Sequence, residues 1–468
     1  MASDERVRSG TLATRWLAPS PELVRVLAAA VLIGIGGTFL LEGLARFVSI
    51  DFQKEGGQWD AAVDYRAAGL FWQGISPYTP EGLKLAKVAH VGFGHPPTTP
   101  FWFLPLAHLP YVTMAQIVAW VGLSLTLAQI VIGVRELRCP LPLATTVLAF
   151  GVIAASEAAL EHARVVQLSA WIGFAYALSW SLLRRGRDFA GGLVLGCACS
   201  LKLFPGLVVV FLLFHRRFRA VLGASVAFLV VATVMASRWG VSAWLLFFQQ
   251  QGAIADRWLG HVRNASLQGI LRRLLVPLCG APDIDERTLK WVTTSAVLLV
   301  AGLAAWLLFR AARRSRDAAS FDLAFVFVCV LSAFLNPWVW EHYSAILVLP
   351  VVVAAHAVAS RATSAWRAWQ RGDVSLAPVL RATSALVGGS LALGLVVQSQ
   401  FHEYQSTVRA WTSYCQFAGA PEVKAWLHRE AQHLIAATWS PWLLVLFVLA
   451  FLLLARPGPV MGETPPPR

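Results

Sequence analysis

Charge is scarce in this chain. Of its 468 residues, 14% are charged and 57% are hydrophobic, and the mean hydropathy is +0.61. A soluble globule of that composition could not cover its surface, which leaves a polytopic membrane protein. Nucleotide motifs are missing: there is no Walker loop and no glycine-rich dinucleotide fingerprint, so chemistry driven directly by a nucleotide is not expected. Metal motifs are missing as well. No His-Glu-x-x-His helix or clustered Asp-x-Asp occurs, and His90, His95 and His108 are not at metal-ligand spacing. No metal and no other cofactor is expected. No internal repeat is visible, and no stretch is long enough to fold as a separate soluble domain. A cleavable leader is not expected either. The first apolar run, Leu23 to Val48, is too long for one and lacks a small-residue cleavage site at its end. The six cysteines are scattered. Cys197 and Cys199 lie in an apolar run and read as core packing. Cys279 and Cys415 fall in loops on one side and could pair, which sequence alone does not decide.

What charge there is has one dominant sign. The net charge is +14, which in a soluble protein would suggest nucleic acid. Here the arginines gather in short loops: Arg135 and Arg138; Arg184, Arg185 and Arg187; Arg216, Arg217 and Arg219; Arg310, Arg313, Arg314 and Arg316; Arg361, Arg367 and Arg371. That is the positive-inside pattern of a multi-pass plasma-membrane protein, and nucleic acid is not expected as a partner. A span needs about 20 apolar residues. Such runs lie near 23–48, 111–134, 140–157, 165–183, 217–236, 291–310, 321–337, 342–359, 376–398 and 439–455. The run 189–214 resists a single crossing, which would put His215 to Arg219 opposite Arg184 to Arg187. A hairpin of two short helices, broken at Lys202-Leu-Phe-Pro205, removes the conflict. Proline lacks a backbone donor and disfavours helix at its predecessor.

The expected fold is therefore an all-α bundle of about 12 membrane-embedded helices with both termini in the cytoplasm. Residues 1–22 form a cytoplasmic segment, 23–456 the transmembrane domain, and the proline-rich 457–468 a disordered tail. Loops 49–110, 158–164, 237–290, 335–342 and 399–438 then share the outer face. In the loop 237–290, the stretches beginning at Trp244 and Leu267 read as interfacial amphipathic helices.

Nearly every unusual polar residue falls on that face. Asp60 and Asp64 are four apart, so on a helix they share a side, with Arg66 on the flank. A carboxylate there suits a general base acting on a hydroxyl. It equally suits a solvated helix face with Asp60 as the cap. Lys202 lies at the break in an apolar run, where a cation would suit a phosphate or would snorkel to the interface. His342 follows Asn336-Pro-Trp338-Val-Trp340-Glu341 at the mouth of a span, in company that also fits ordinary interfacial anchoring. Arg263-Asn264-Ala-Ser-Leu-Gln268, which contains a chance-level glycosylation sequon, reads as polar outer-face chemistry continuing to Arg272. Glu161-His162-Ala-Arg164 and Gln167 mark another outer helix end.

In order, Asp60-Ala-Ala-Val-Asp64-Tyr-Arg-Ala-Ala with Gly74-Ile-Ser-Pro-Tyr78 and His95-Pro-Pro97, then Ala190 to Lys202-Leu-Phe-Pro205, then Asn264-Ala-Ser-Leu-Gln-Gly, then Leu331 to His342 resemble glycosyltransferase family 87. These are the polyprenol-phosphate-mannose-dependent mannosyltransferases of the GT-C superfamily. The likeness covers about residues 55–350. His95 stands where the family often has an aromatic, and Ala265 where glutamine is common. From about 360 onward no motif aligns.

The resemblance implies a GT-C-type bundle and an inverting, metal-independent transfer from a polyprenyl-phosphate sugar to a glycolipid or glycan hydroxyl at the outer face. Mannose is the first expectation for the sugar. It maps the family's catalytic aspartate onto Asp60, with Asp64 in reserve. It assigns the donor phosphate to Lys202 and His342, with Arg263 and Arg272. It leaves Arg66, Tyr78, His95, Asn264, Gln268, Trp338, Trp340 and Glu341 for substrate, with Trp72 as a further ring for sugar or prenyl chain. Two readings compete: a transporter or flippase of lipid-linked sugars, which broken helices also suit, and a non-catalytic envelope-assembly protein. Against transport, the polar residues crowd one face and no repeat is visible.

Overall fold

The computed structural model describes residues 21–52, 59–88, 93–259, 264–278, 286–314 and 318–371, with isolated positions between 445 and 452. Expectations for His90, Arg263, Cys279, Cys415, the run 376–398, the loop 399–438, most of the run 439–455 and both chain ends lie outside these residues. So do the side chains of Asp60 and Glu341.

Among the described residues all regular structure is helical. The first half holds α1 (Pro21–Val48), α2 (Trp59–Gln73), α3 (Pro80–Leu85), a 3-10 helix (Thr99–Leu106), α4 (Tyr111–Glu136), α5 (Pro142–Ala154), α6 (Glu157–Arg164) and α7 (Ser169–Arg184). The second half holds α8 (Asp188–Leu201), α9 (Gly206–Phe214), α10 (Phe218–Trp239), α11 (Ser242–Trp258), α12 (Leu267–Leu278), α13 (Glu286–Arg314), α14 (Ala318–Phe334), a second 3-10 helix (Glu341–Leu347) and α15 (Val348–Gln370). Among the described residues, five stretches are long and apolar enough to cross a membrane: Glu22–Val48, Tyr111–Glu136, Phe218–Trp239, Arg287–Arg310 and His342–Gln370. Pro142–Ala154, Asp188–Leu201 and Ala319–Phe334 are shorter apolar helices. The chain is an all-α, multi-pass membrane protein.

Small residues set how the helices meet, as they do where lipid gives no hydrophobic reward for association. Gly36 of α1 lies against Val147 and Leu148 of α5, and Gly43 against Ala154. Both contacts advance in the same direction, so α1 and α5 are parallel. The same holds for α8 and α10, where Gly192 meets Ala220 and Gly196 meets Ala224. Helices α4 and α7 are parallel too: Gln129 donates to the Ala170 carbonyl at 3.3 Å, and Glu136 accepts from Ser181 at 2.6 Å.

Because α8 and α10 run the same way, α9 has to return between them. Arg217, at the start of α10, donates to the Leu183 carbonyl and to the Asp188 carboxylate, both at 2.9 Å. The two arginine clusters are thus at one end of the bundle, as the expected hairpin requires. The same end carries an ion pair of Arg185 with Glu136. Arg184 lies 3.4 Å from Asp322, which also accepts the Trp180 indole N–H at 2.8 Å. The polar residues of interest lie at the opposite end.

Candidate functional site

Two buried polar clusters make up this end. The first is built on α2. Asp64 is 3% exposed, and its Oδ2 lies 2.8 Å from His95 Nδ1. Asp60 is one helical turn earlier on α2. The loop carrying His95 is held from behind. The hydroxyl of Tyr78, itself buried, donates to the His95 carbonyl at 2.5 Å. Gln250 of α11 donates to the Tyr78 carbonyl at 2.9 Å and accepts the Phe93 N–H at 3.0 Å. Burial, and then the negative charge of Asp64, push the Tyr78 phenol well above its ordinary value, so it stays a hydrogen-bond donor.

The second cluster sits at the helix break. Lys202 leaves α8 with an extended backbone, φ −149° and ψ 149°, and Pro205 opens α9. The lysine is 7% exposed, too buried for a side chain snorkelling to water. Its ammonium donates to the Tyr343 hydroxyl and lies 4.3 Å from that ring's centroid. Phe204 stacks on Tyr343 at 5.9 Å, and the buried His342 ring lies 4.9 Å from it.

One element joins the clusters. The 3-10 helix that follows His95-Pro-Pro docks on the end of α8, where Thr99 donates to the Leu201 carbonyl at 2.7 Å and the Trp102 indole to Ser200 at 3.0 Å. The first loop and the lysine break are therefore tied together next to Lys202.

The remaining expected residues have other surroundings. Asn264 is fully buried. Its amide nitrogen donates to the Pro337, Leu259 and Trp258 carbonyls, and its oxygen accepts from the N–H groups of Ser266 and Val339. It fastens the 264–267 segment to the 337–339 strap and to the end of α11, and its side-chain amide is engaged in those contacts. Gln268 donates to Thr293 and Thr294 of α13 at 3.4 and 3.3 Å. Trp340 is half-buried edge-on to Trp258 at 5.6 Å, Trp338 is half-buried, and Arg66 and Arg272 are partly exposed. Trp72 is exposed beside His108. Among the described residues no group of His, Cys, Asp or Glu is placed to hold a metal ion.

Sequence reasoning did not single out Tyr343 or Gln250, nor did it give His162 a separate role. Tyr343 had a signal, an aromatic following His342. Gln250 had none, since its partners are over 150 positions away. His162 of α6 is buried and accepts the Ala170 N–H through Nε2 at 3.1 Å. Burial, reinforced by the charge of Lys202, lowers it to about 4, so it is neutral near pH 7. It borders an apolar cavity of about 120 Å³, whose walls include Phe47, Leu123, Val152 and Val348.

An all-α membrane bundle with Asp64, His162, Lys202 and His342 buried at the end opposite the arginine loops defines a membrane protein with a polar site at that end. Comparison with known proteins supplies the chemistry. The model of glycosyltransferase family 87 matches residues 93–335, over half of the chain. The chain belongs to that family, and it is a membrane glycosyltransferase. A polyprenol-phosphate-mannose-dependent alpha-(1-2)-phosphatidylinositol mannoside mannosyltransferase from Mycobacterium tuberculosis is 26% identical over 368 residues, covering 75% of this chain and 78% of the relative. No solved structure matches the chain.

Proposed function

We propose that this enzyme moves a sugar, mannose in the first instance, from a polyprenyl phosphate to a hydroxyl of a glycolipid acceptor at the outer face of the plasma membrane. The observation that carries the reading is Lys202. It is a buried cation held at a helix break against Tyr343, the neighbour of His342, at the end of the bundle remote from the arginine loops. A fixed positive charge in a low-dielectric site favours a phosphate whose charge grows as the glycosidic bond breaks. The name of the mycobacterial relative supports the donor and acceptor classes.

The transfer inverts the anomeric centre and uses no metal. Asp60 takes the acceptor proton as that oxygen attacks the anomeric carbon, and the phosphate leaves towards Lys202 and His342, with Arg263 and Arg272 as its further cationic partners. The leaving group is a phosphomonoester, so no strong general acid is required. Asn264 holds the strap bearing Trp338 and Trp340, which with Glu341, Gln268 and Arg66 border the substrate. The bundle contains about twelve membrane-embedded segments, with both termini inside.

The test is sugar transfer in proteoliposomes given labelled polyprenyl-phosphate-mannose and a membrane lipid extract. Wild type transfers the sugar, and Asp60→Asn retains no more than about a hundredth of the rate, the lower range for a lost general base. An equal rate in the variant removes Asp60 as the base. Failure of the wild type to bind the donor overturns the donor assignment and favours a transport role.

A further inference from the structure

We propose that Asp64 and His95 form the acceptor-recognition pair of this site. Asp64 fixes the tautomer of His95, and His95 Nε2 accepts a hydrogen bond from a hydroxyl of the acceptor sugar. The inference rests on the transferase reading above and goes beyond it by assigning the acceptor side of the site.

A carboxylate only accepts hydrogen bonds, so at 2.8 Å the shared proton sits on His95 Nδ1. In the neutral ring Nε2 then carries a lone pair. That nitrogen bonds to no described residue, and the His95 side chain keeps 18% exposure while that of Asp64 keeps 4%. The ring's acceptor atom is thus the part left for a ligand. Its orientation is fixed twice over: by Asp64 on the ring, and by Tyr78 on the backbone carbonyl behind it. A clamped ring loses little freedom on binding, which favours recognition.

The electrostatics choose the ligand. A lone pair backed by a buried carboxylate repels phosphate and attracts a hydroxyl hydrogen. Lys202, at the other cluster, has the opposite preference. The first loop would then hold the neutral, hydroxyl-rich partner, and the helix break the anionic one. Asp64 follows Asp60 by one helical turn on α2, so the pair and the proposed base share one element.

A purely structural clasp between α2 and the loop is the competing account, and His95→Asn separates the two. Asparagine keeps an amide N–H for Asp64 but has no equivalent of Nε2. Steady-state transfer by the full-length protein in proteoliposomes is measured with each substrate varied in turn. The acceptor KM in His95→Asn is expected to rise about tenfold, the loss of one well-placed hydrogen bond, with the donor KM unchanged. Asp64→Asn should move the acceptor KM the same way. An acceptor KM in His95→Asn within twofold of wild type overturns the proposal.

A second measurement is independent of activity. In nitrogen-15 spectra of histidine-labelled protein, the signals missing from His95→Asn should report a neutral ring protonated at Nδ1, altered by Asp64→Asn. A ring protonated at Nε2 overturns the acceptor pair and leaves the transferase reading intact. Absence of transfer by wild type with the expected tautomer overturns the transferase reading instead, and with it the acceptor role.

Discussion

His162 is the residue whose environment has the plainest thermodynamic consequence. It is buried and depressed to about 4 from an ordinary 6.5. Between these values the unfolded chain binds a proton that the folded protein does not. The stability this group contributes is therefore complete above pH 6.5 and is lost as pH falls towards 4, by about 3 kcal/mol in total. In detergent, the wild-type melting temperature should drop across that interval. His162→Gln, which can still accept the Ala170 N–H, should flatten the drop. An unchanged slope would place the titrating group elsewhere. At this scale the sequence was partly legible. Lys202 stood out because a charge in an apolar run has few explanations. The pairing of Asp64 with His95 did not stand out, because 31 positions separate them and nothing local marks a histidine that will meet a carboxylate. Asn264 was noticed for its polarity, but its work in the fold, tying two segments over 70 positions apart, appears only once both are in place.

Among the elements, the break between α8 and α9 was legible in the sequence because two constraints met there. Proline made an interruption natural, and the arginine loops on either side required an even number of passes. The packing of α8 on α10 was not legible, since glycine and alanine are frequent in any apolar run. Its tolerances are severe. A Cβ on Gly192 would lie 1.9 Å from the Ala220 carbonyl oxygen, and one on Gly196 would lie 2.2 Å from that of Ala224. Backbone atoms cannot step aside as a flexible side chain does. Gly192→Leu should therefore cost on the order of 3 kcal/mol, read as a lower melting temperature or loss of the monodisperse detergent-solubilised species. Gly34→Leu is the control, because nothing lies within 4 Å of a Cβ there. Equal effects of the two substitutions would refute the close crossing.

Across the whole molecule, the division into an arginine end and a site end carries the orientation argument. At the first end Arg184 pairs with Asp322 of α14, Arg185 with Glu136 of α4, and Arg217 with Asp188 of α8 and the Leu183 carbonyl of α7. Asp64, His95, Lys202 and His342 occupy the second. With the native cysteines replaced, a single cysteine at Glu81, exposed on α3, should react with a membrane-impermeant maleimide in intact cells. One at Arg187, exposed at the arginine end, should react only after permeabilisation. The reverse pattern would turn the site to the cytoplasm.

The parallel pairing of α8 with α10 also fixes an order of assembly. The glycine face of α8 leaves the ribosome before its partner exists, and an arm of nine residues, Gly206–Phe214, must be laid down and reversed first. Until Ala220 and Ala224 arrive, Gly192 and Gly196 present bare backbone to whatever surrounds them. Lys202, at the tip of that unfinished turn, has no tyrosine to rest on until a further 141 residues have been made. A chain stalled inside this interval carries a lysine ammonium that still lacks its Tyr343 partner. The insertion machinery or a chaperone would have to shelter it there, so substitutions in α10 should mark the protein for degradation more readily than equally disruptive ones in α1.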